Sequence, residues 1–190
     1  MTCVVRNDRR HALLKRAMLC PRSQMKTPSA MPALPPISAQ HTVSELLAID
    51  HRTIDALLAD TQALLNERDF EDAGRVFASF CGLLRSHIEA EEALLFASLE
   101  RLGGAAGPIN VMRCEHAAIQ ATMPMISSAL QLKSGQEAPR LLDSLLDSLG
   151  SHNQKEERVL YPMVDAILER ASELENMVSS IEALLRTRRS

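Results

Sequence analysis

The sequence is poor in aromatic residues and contains no long apolar run. Only 3% of its 190 residues are aromatic, with no Trp, one Tyr and four Phe, although hydrophobic residues make up 46%. A core that must be built from Leu, Ala, Ile and Met favours helices over strands. No apolar segment approaches the roughly 18 residues needed to cross a bilayer, and the N-terminus lacks the continuous apolar core of a secretory signal. The sequence therefore predicts an all-α protein without a membrane span.

The cysteines give no sign of a thiolate metal site. Cys3, Cys20, Cys81 and Cys114 show no Cys-x-x-Cys spacing, and the last two lie inside apolar helical patterns, where free thiols pack as small hydrophobes. No thiolate is positioned to bind a metal, which argues against iron–sulfur clusters and copper(I). A reducing cytoplasm is the predicted location.

Charge divides the sequence near residue 40. Residues 1–40 hold seven Lys or Arg and one acid, whereas the remainder holds 14 basic and 23 acidic residues. The acidic remainder argues against nucleic acid as a partner. Five prolines between residues 21 and 36 break regular structure. Residues 1–40 are therefore predicted to be a disordered extension, with a start at Met31 or a targeting arm or anionic-surface tether as the alternatives.

Four long helical patterns and one short pattern follow. Thr42 and Glu45 have the spacing of a capping box, Asp69 is placed as an N-cap, and Ser172 with Glu175 predicts a last capping box. The predicted helices span residues 42–66, 70–101, 108–133, 138–170 and about fifteen residues after Ser172. Short connections make neighbours antiparallel. The prediction is an up-down-up-down four-helix bundle over residues 41–170, with a short C-terminal fifth helix in residues 171–190 that packs on the bundle or extends from it.

Each long helix carries an inward stripe of apolar residues at alternating steps of three and four. The predicted stripe ends at Leu94 in the second helix and includes Val159 and Met163 in the fourth. Pro124 and Pro162 lie inside helical patterns and predict kinks, which serve either bundle curvature or access to a site.

The most informative pattern is a repeat at an offset of 65 residues. His51, His87 and Glu91 recur as His116, His152 and Glu156, and all six lie on the inward stripes. The flanking residues repeat as well: Asp50 with Glu115, Glu92 with Glu157, Leu95 with Leu160, and Phe96 with Tyr161. Such a duplication of metal-binding residue types indicates a shared site built from both halves.

Four imidazoles and two carboxylates in an apolar core would each cost several kcal/mol if left unpaired. A metal cluster neutralises that cost, and a satisfied polar core is the alternative. Six ligands are too many for one tetrahedral zinc, so two ions fit better, each with two His and both carboxylates shared. Imidazole with carboxylate suits iron, manganese or zinc, and the residue types alone leave that choice open.

These residues resemble the hemerythrin-like, or HHE cation-binding, family, whose four-helix bundles hold a non-haem di-iron centre. The resemblance covers residues from about 42 to 165 and includes the runs HIEAEEALLF and HNQKEERVLYP. It implies that two non-haem iron ions are the cofactor, with manganese or zinc as alternatives. The implied metal ligands are His51, His87, Glu91, His116, His152 and Glu156.

The details are more similar to the four-His, two-Glu di-iron proteins of iron–sulfur repair than to oxygen carriers. Oxygen-carrying hemerythrins have another His where this sequence has Gln120, and an Asp near Glu157. The N-terminal cysteine motif usual in the repair proteins has no counterpart here. The implied function is a cytoplasmic di-iron protein with an open coordination position for O2, NO or peroxide, in sensing, storage or stress protection. A di-iron enzyme or iron donor, and a metal-stabilised structural bundle, are the alternatives.

The residues beside the ligands have weaker predicted roles. Asp50 and Glu115 either orient a neighbouring imidazole or are simply exposed. Glu92 and Glu157 are expected in solvated or inter-helix polar contacts, and Tyr161 as a core ring. No catalytic residue is assigned, metal binding without turnover is favoured, and the oligomeric state stays open.

Overall fold

Five helices make up the described residues 41–103 and 106–189 of this computed structural model, and that part of the chain contains no strand. The second and fourth helices each contain a π-helical turn between two α-helical segments. The bounds are Val43–Asn66 for the first helix; Phe70–Ala90, Glu91–Phe96 and Ala97–Arg101 for the second; Ala106–Gln131 for the third; Glu137–Lys155, Glu156–Leu160 and Tyr161–Ala171 for the fourth; and Leu174–Arg189 for the fifth. The all-α prediction is confirmed, while the expectation for residues 1–40 lies outside the described residues.

Local capping sets the helix ends. The Thr42 hydroxyl accepts from the Glu45 N–H while the Glu45 carboxylate accepts from the Thr42 N–H, which is the predicted capping box. Asp69 caps the second helix as predicted, by accepting from the Asp72 N–H. The capping box predicted at Ser172 was wrong. Ser172 instead ends the fourth helix in the left-handed conformation (φ 58°), and the fifth helix begins two residues later.

The four long helices form a closed ring. The first packs on the second, the second on the third, the third on the fourth, and the fourth on the first. Short connections force antiparallel neighbours, as the up-down-up-down prediction requires. The fifth helix lies against the second and buries Met177, Val178, Ile181 and Leu185. None of the described helices is both long and apolar enough to cross a membrane.

The two π turns change which residues face the core. Each begins at a Glu of the repeat, Glu91 or Glu156. Because a π turn hydrogen-bonds five residues back instead of four, it shifts the phase of the residues that follow. Val159, which the α-helical stripe placed inside, is therefore 64% exposed. Leu160 and Tyr161 are buried in its place.

The same shift occurs in the second helix. There Leu95 and Phe96 are fully buried, while Leu94 is only partly buried. The predicted stripe was therefore right up to each repeated Glu and wrong at Val159, whereas Leu94 and Met163 still pack against the core as partly buried residues.

The six polar residues of the repeat lie between two apolar clusters. On the first helix, Ile54 and Leu58 belong to one cluster and Val43 and Leu47 to the other, with His51 between them. The other three long helices show the same division, with Leu84, Ile119 and Leu149 on one side and Phe96, Met112 and Leu160 on the other. The ligand candidates therefore share one level of the bundle and are enclosed by hydrocarbon above and below.

Candidate metal centre

The structure brings all six predicted ligands together. Each is at most 3% exposed. They form two groups of four residues, and both carboxylates belong to both groups. Within each group every residue offers one ligand atom, and these four atoms all lie within 4.8 Å of one another. The groups are His51, His87, Glu91 and Glu156, and Glu91, His116, His152 and Glu156. This is the arrangement expected for two ions with two imidazoles each.

Helical spacing explains part of this convergence. His87 precedes Glu91 by four residues, as His152 precedes Glu156, so each pair points to the same side of its helix. The His87 Nε2 atom lies 3.5 Å from Glu91 Oε2, and the His152 Nε2 atom lies 3.1 Å from Glu156 Oε1. The antiparallel ring supplies the rest, because it places His51 and His116 opposite these pairs.

A second set of four carboxylates holds the imidazoles from outside. Each accepts a hydrogen bond from the Nδ1 atom of one imidazole on a neighbouring helix. The pairs are Asp50 with His87 (3.0 Å), Glu115 with His152 (3.0 Å), Glu157 with His51 (2.8 Å) and Glu92 with His116 (2.8 Å). An Nδ1–H that donates to a carboxylate leaves the Nε2 lone pair free to bind a metal, and it makes the imidazole more basic.

Sequence reasoning missed Glu92 and Glu157 as orienting residues. It expected only solvated or inter-helix polar contacts for them, because each lies one position, or about 100° around an α-helix, from a ligand. It left Asp50 and Glu115 undecided. All four are members of the repeat at 65 residues, so that signal would have found them. Gln120, at the position where oxygen carriers have His, is exposed on the third helix.

Tyr161 lies closer to the centre than sequence reasoning expected. Its ring is core, as predicted, but its hydroxyl donates to Glu91 Oε1 at 2.6 Å and to Glu156 Oε2 at 3.1 Å. The π turn brings it there, because residue 161 is five beyond Glu156 and a turn that hydrogen-bonds five residues back keeps such a residue nearer to the side of Glu156 than an α-helix would. Burial, with the charges of both carboxylates, raises the pKa of Tyr161 well above its usual value. The hydroxyl therefore stays protonated.

The pKa shifts show how the centre balances charge without a metal. Burial lowers the pKa of His116, but the nearby Glu156 and Glu91 carboxylates outweigh it and raise that pKa to about 10. For His87 burial prevails over the attraction of Glu91, and its pKa is lowered. Burial raises the pKa of Glu156, yet His116 and His152 overcome it and hold that pKa well below its usual range. Protonated imidazoles thus balance the negative charge of the carboxylates, as bound cations would.

The geometry fits metal ions better than a self-satisfied polar core. Glu91 Oε2, Glu156 Oε1 and His116 Nε2 are buried without a hydrogen-bond partner, although Glu91 Oε2 and His116 Nε2 are only 3.2 Å apart. Two nitrogens bound at about 2.1 Å to one ion, about 90° apart, would be separated by about 3 Å. The Nε2 atoms of His51 and His87 are 2.9 Å apart, a separation that suits two ligands of one ion and also a hydrogen bond between the rings, so the unpartnered buried atoms carry the comparison. Imidazole and carboxylate donors of this kind suit iron, manganese or zinc.

A four-helix bundle with a buried cluster of four His and two Glu defines a class of helical metal-binding proteins. The family model described as Hemerythrin HHE cation binding domain matches residues 42–186, and the chain belongs to this family. Membership implies metal binding, typically of iron, and the His and Glu groups fit it. No curated protein and no solved structure matches the chain. The family resemblance is confirmed, and the similarity to the iron–sulfur-repair type stays a prediction.

Proposed function

We propose that the bundle holds two non-haem iron ions, one between His51 and His87 and the other between His116 and His152. The carrying observation is that the two groups of four share Glu91 and Glu156. A single ion would leave two buried imidazoles and part of the carboxylate charge uncompensated, at a cost of several kcal/mol. Two ions use all six side chains.

The chain's own residues prepare this site for a small ligand. The four outer carboxylates fix the imidazole rings, and the two apolar clusters exclude water from the level of the site. Iron would supply redox chemistry and an open coordination position. We therefore propose O2, NO or peroxide as the ligand, in sensing, storage or oxidative and nitrosative stress protection in the cytoplasm.

Two finer assignments belong to this proposal. Four His, two Glu and Gln120 support a closer relation to the iron–sulfur-repair proteins than to oxygen carriers. Residues 41–170 are taken as the metal-binding bundle, and residues 171–190 as a C-terminal addition whose helix, Leu174–Arg189, packs against the second helix.

Metal analysis of iron-loaded protein tests the proposal. We expect two irons per chain and the charge-transfer absorption of bound ferric iron in the wild type. His87→Ala and Glu91→Gln remove a ligand from one group and from both groups respectively, so each should lower the iron content and weaken the absorption. Circular dichroism checks that the variants remain helical.

Matched controls are available on the same bundle. Two residues of matching type lie outside the cluster. His41 forms an ion pair with Glu45 at 3.5 Å, and Glu67 is exposed. His41→Ala and Glu67→Gln should retain both irons. If the His87 and Glu91 variants also retain both, the ligand assignment is wrong.

The position of Tyr161 favours a second candidate, enzymatic reduction of NO or peroxide. Its hydroxyl is a protic group within hydrogen-bond distance of both carboxylates. Steady-state consumption of NO or peroxide by iron-loaded protein, measured with an added electron donor in excess, decides this. Turnover that is lost in Tyr161→Phe while both irons remain would support the enzyme, and binding without turnover would exclude it.

A further inference from the structure

The repeat relates the two halves of the centre by an approximate twofold, and the ring beside the cluster breaks it. Among the ligands, the outer carboxylates and the buried rings next to them, all but one pair have like chemistry 65 residues apart. These are His51 and His116, His87 and His152, Glu91 and Glu156, Asp50 and Glu115, and Glu92 and Glu157. The exception is Phe96, whose counterpart is Tyr161. One oxygen atom therefore distinguishes the two ring positions.

The two rings occupy equivalent places. Phe96 lies 5.7 Å from the His116 ring, and Tyr161 lies 5.7 Å from the His51 ring, measured between centroids. Both side chains are fully buried. Phe96 is the last residue of one π turn and Tyr161 directly follows the other, and each turn begins at a ligand Glu. The difference between the halves is thus chemical, since the ring positions themselves match.

The Tyr161 hydroxyl lies on one side of the cluster. It is 3.1 Å from His51 Nε2 and 3.5 Å from His87 Nε2, the two nitrogens assigned to one ion. On the other side, the Phe96 ring is nearly parallel to the His116 ring, with 7° between the planes, and presents only carbon. An oxygen therefore borders the His51–His87 position, and hydrocarbon borders the His116–His152 position.

The carboxylates respond to this difference. Glu156 turns one oxygen to each half, with Oε2 at 3.3 Å from His51 Nε2 and Oε1 at 3.1 Å from His152 Nε2. Glu91 directs Oε1 to the Tyr161 hydroxyl at 2.6 Å, which is shorter than the 3.1 Å between that hydroxyl and Glu156 Oε2. Its Oε2 faces both His116, at 3.2 Å, and His87, at 3.5 Å. The two carboxylates are equivalent in sequence and are used differently.

We propose that the Tyr161 hydroxyl makes the two cation positions inequivalent, by engaging one oxygen of Glu91 and by placing an oxygen beside the His51–His87 position. This rests on the proposed binding of two ions. Tyr161 is then a positioning residue that gives the centre two chemically different ions, and Phe96 is the residue that withholds the same contact from the other half.

The experiment uses a swap that the repeat itself provides. Wild type, Tyr161→Phe, Phe96→Tyr and the double variant are loaded with ⁵⁷Fe and compared by Mössbauer spectroscopy, which reports the environment of each iron. The wild type should give two distinct quadrupole doublets. Tyr161→Phe removes the hydroxyl from one half, so its doublets should converge. Phe96→Tyr adds a hydroxyl to the other half, so its doublets should converge as well, and the double variant should separate them again.

Iron content separates the two levels of the proposal. If the wild type binds fewer than two irons, the proposed function fails, whatever Tyr161 does. If it binds two and the doublets of Tyr161→Phe stay as far apart as in the wild type, the role of Tyr161 is overturned while the di-iron proposal stands. Should Tyr161→Phe not fold, Phe96→Tyr decides alone, and unchanged doublets in that variant overturn the role.

Discussion

Removing an outer carboxylate should weaken metal binding, and the structure ranks the four by burial. Asp50, which holds His87 through a 3.0 Å contact, is 2% exposed. The Glu157 side chain, which holds His51 at 2.8 Å, is 43% exposed. Asp50→Asn and Glu157→Gln keep an acceptor of similar shape and remove the charge that makes each imidazole more basic.

Loss of such an orienting partner costs about 10-fold to 100-fold in metal affinity, or about 1.4 to 2.7 kcal/mol. Water screens the partly exposed Glu157, so its variant should fall near the tenfold end. Asp50 and His87 interact in hydrocarbon, where charges are screened less, so Asp50→Asn should fall near the hundredfold end. Glu92, the twofold counterpart of Glu157, is 40% exposed, and Glu92→Gln should match Glu157→Gln.

Competition with a coloured chelator measures these affinities, with Mn²⁺ or anaerobic Fe²⁺ added to metal-free protein. Glu67→Gln serves as the control, because Glu67 is exposed and lies outside the centre. The reasoning is refuted if Asp50→Asn costs no more than Glu157→Gln, or if both behave like the control.

Three further predictions concern stability. The metal-free protein should lose stability as the pH rises from about 6.5 to about 10. The pKa of His116 is raised in the folded state to about 10, so its protonation stabilises the fold fully below about 6.5 and this contribution is lost as the pH approaches 10. A melting temperature that does not change across this pH range would contradict the prediction. Leu160→Ala should cost about 2 to 5 kcal/mol in the free energy of unfolding, whereas Val159→Ala, at a position 64% exposed, should stay within about 0.5 kcal/mol. Urea unfolding measures both, and the reverse order would refute the π turn at this place. Chelation of the iron-loaded protein should lower its melting temperature, since a ligand bound only to the folded state stabilises it; an unchanged melt after verified iron removal would argue against the site.

The helices and the convergence of the six side chains were predictable from the sequence for identifiable reasons. Capping signals at Thr42 and Asp69 act over three residues, so they can be read locally. The four-residue spacing of His87 and Glu91 fixes a shared direction on any helix. Short connections leave few ways to arrange four helices, so depth along each helix could be counted from the turns.

What could not be predicted depends on contacts between helices. The rotation of the fourth helix relative to the first decides whether Glu157 contacts water or His51. The spacing of residues within one helix carries no information about that rotation. The burial of Leu160 in place of Val159 requires a change of helical phase, and an α-helical stripe assumes constant phase. Tyr161 was correctly predicted to lie in the core. The contacts of its hydroxyl could not be predicted without the shift in helical phase.

The residues of the site explain the two π turns better than proline does. Pro162 lies two residues beyond the last residue of the second π turn, in the first turn of the next α-helical segment, and so would explain that turn alone. The first π turn, Glu91–Phe96, forms in a stretch without proline. The features common to both are a ligand Glu at the start, an outer Glu next to it, and a buried ring at the end of the turn or directly after it. An α-helix would turn that ring away from the ligand, whereas the π turn keeps ligand, outer carboxylate and ring around one centre. Pro162 therefore accommodates a turn that the cluster requires in both halves.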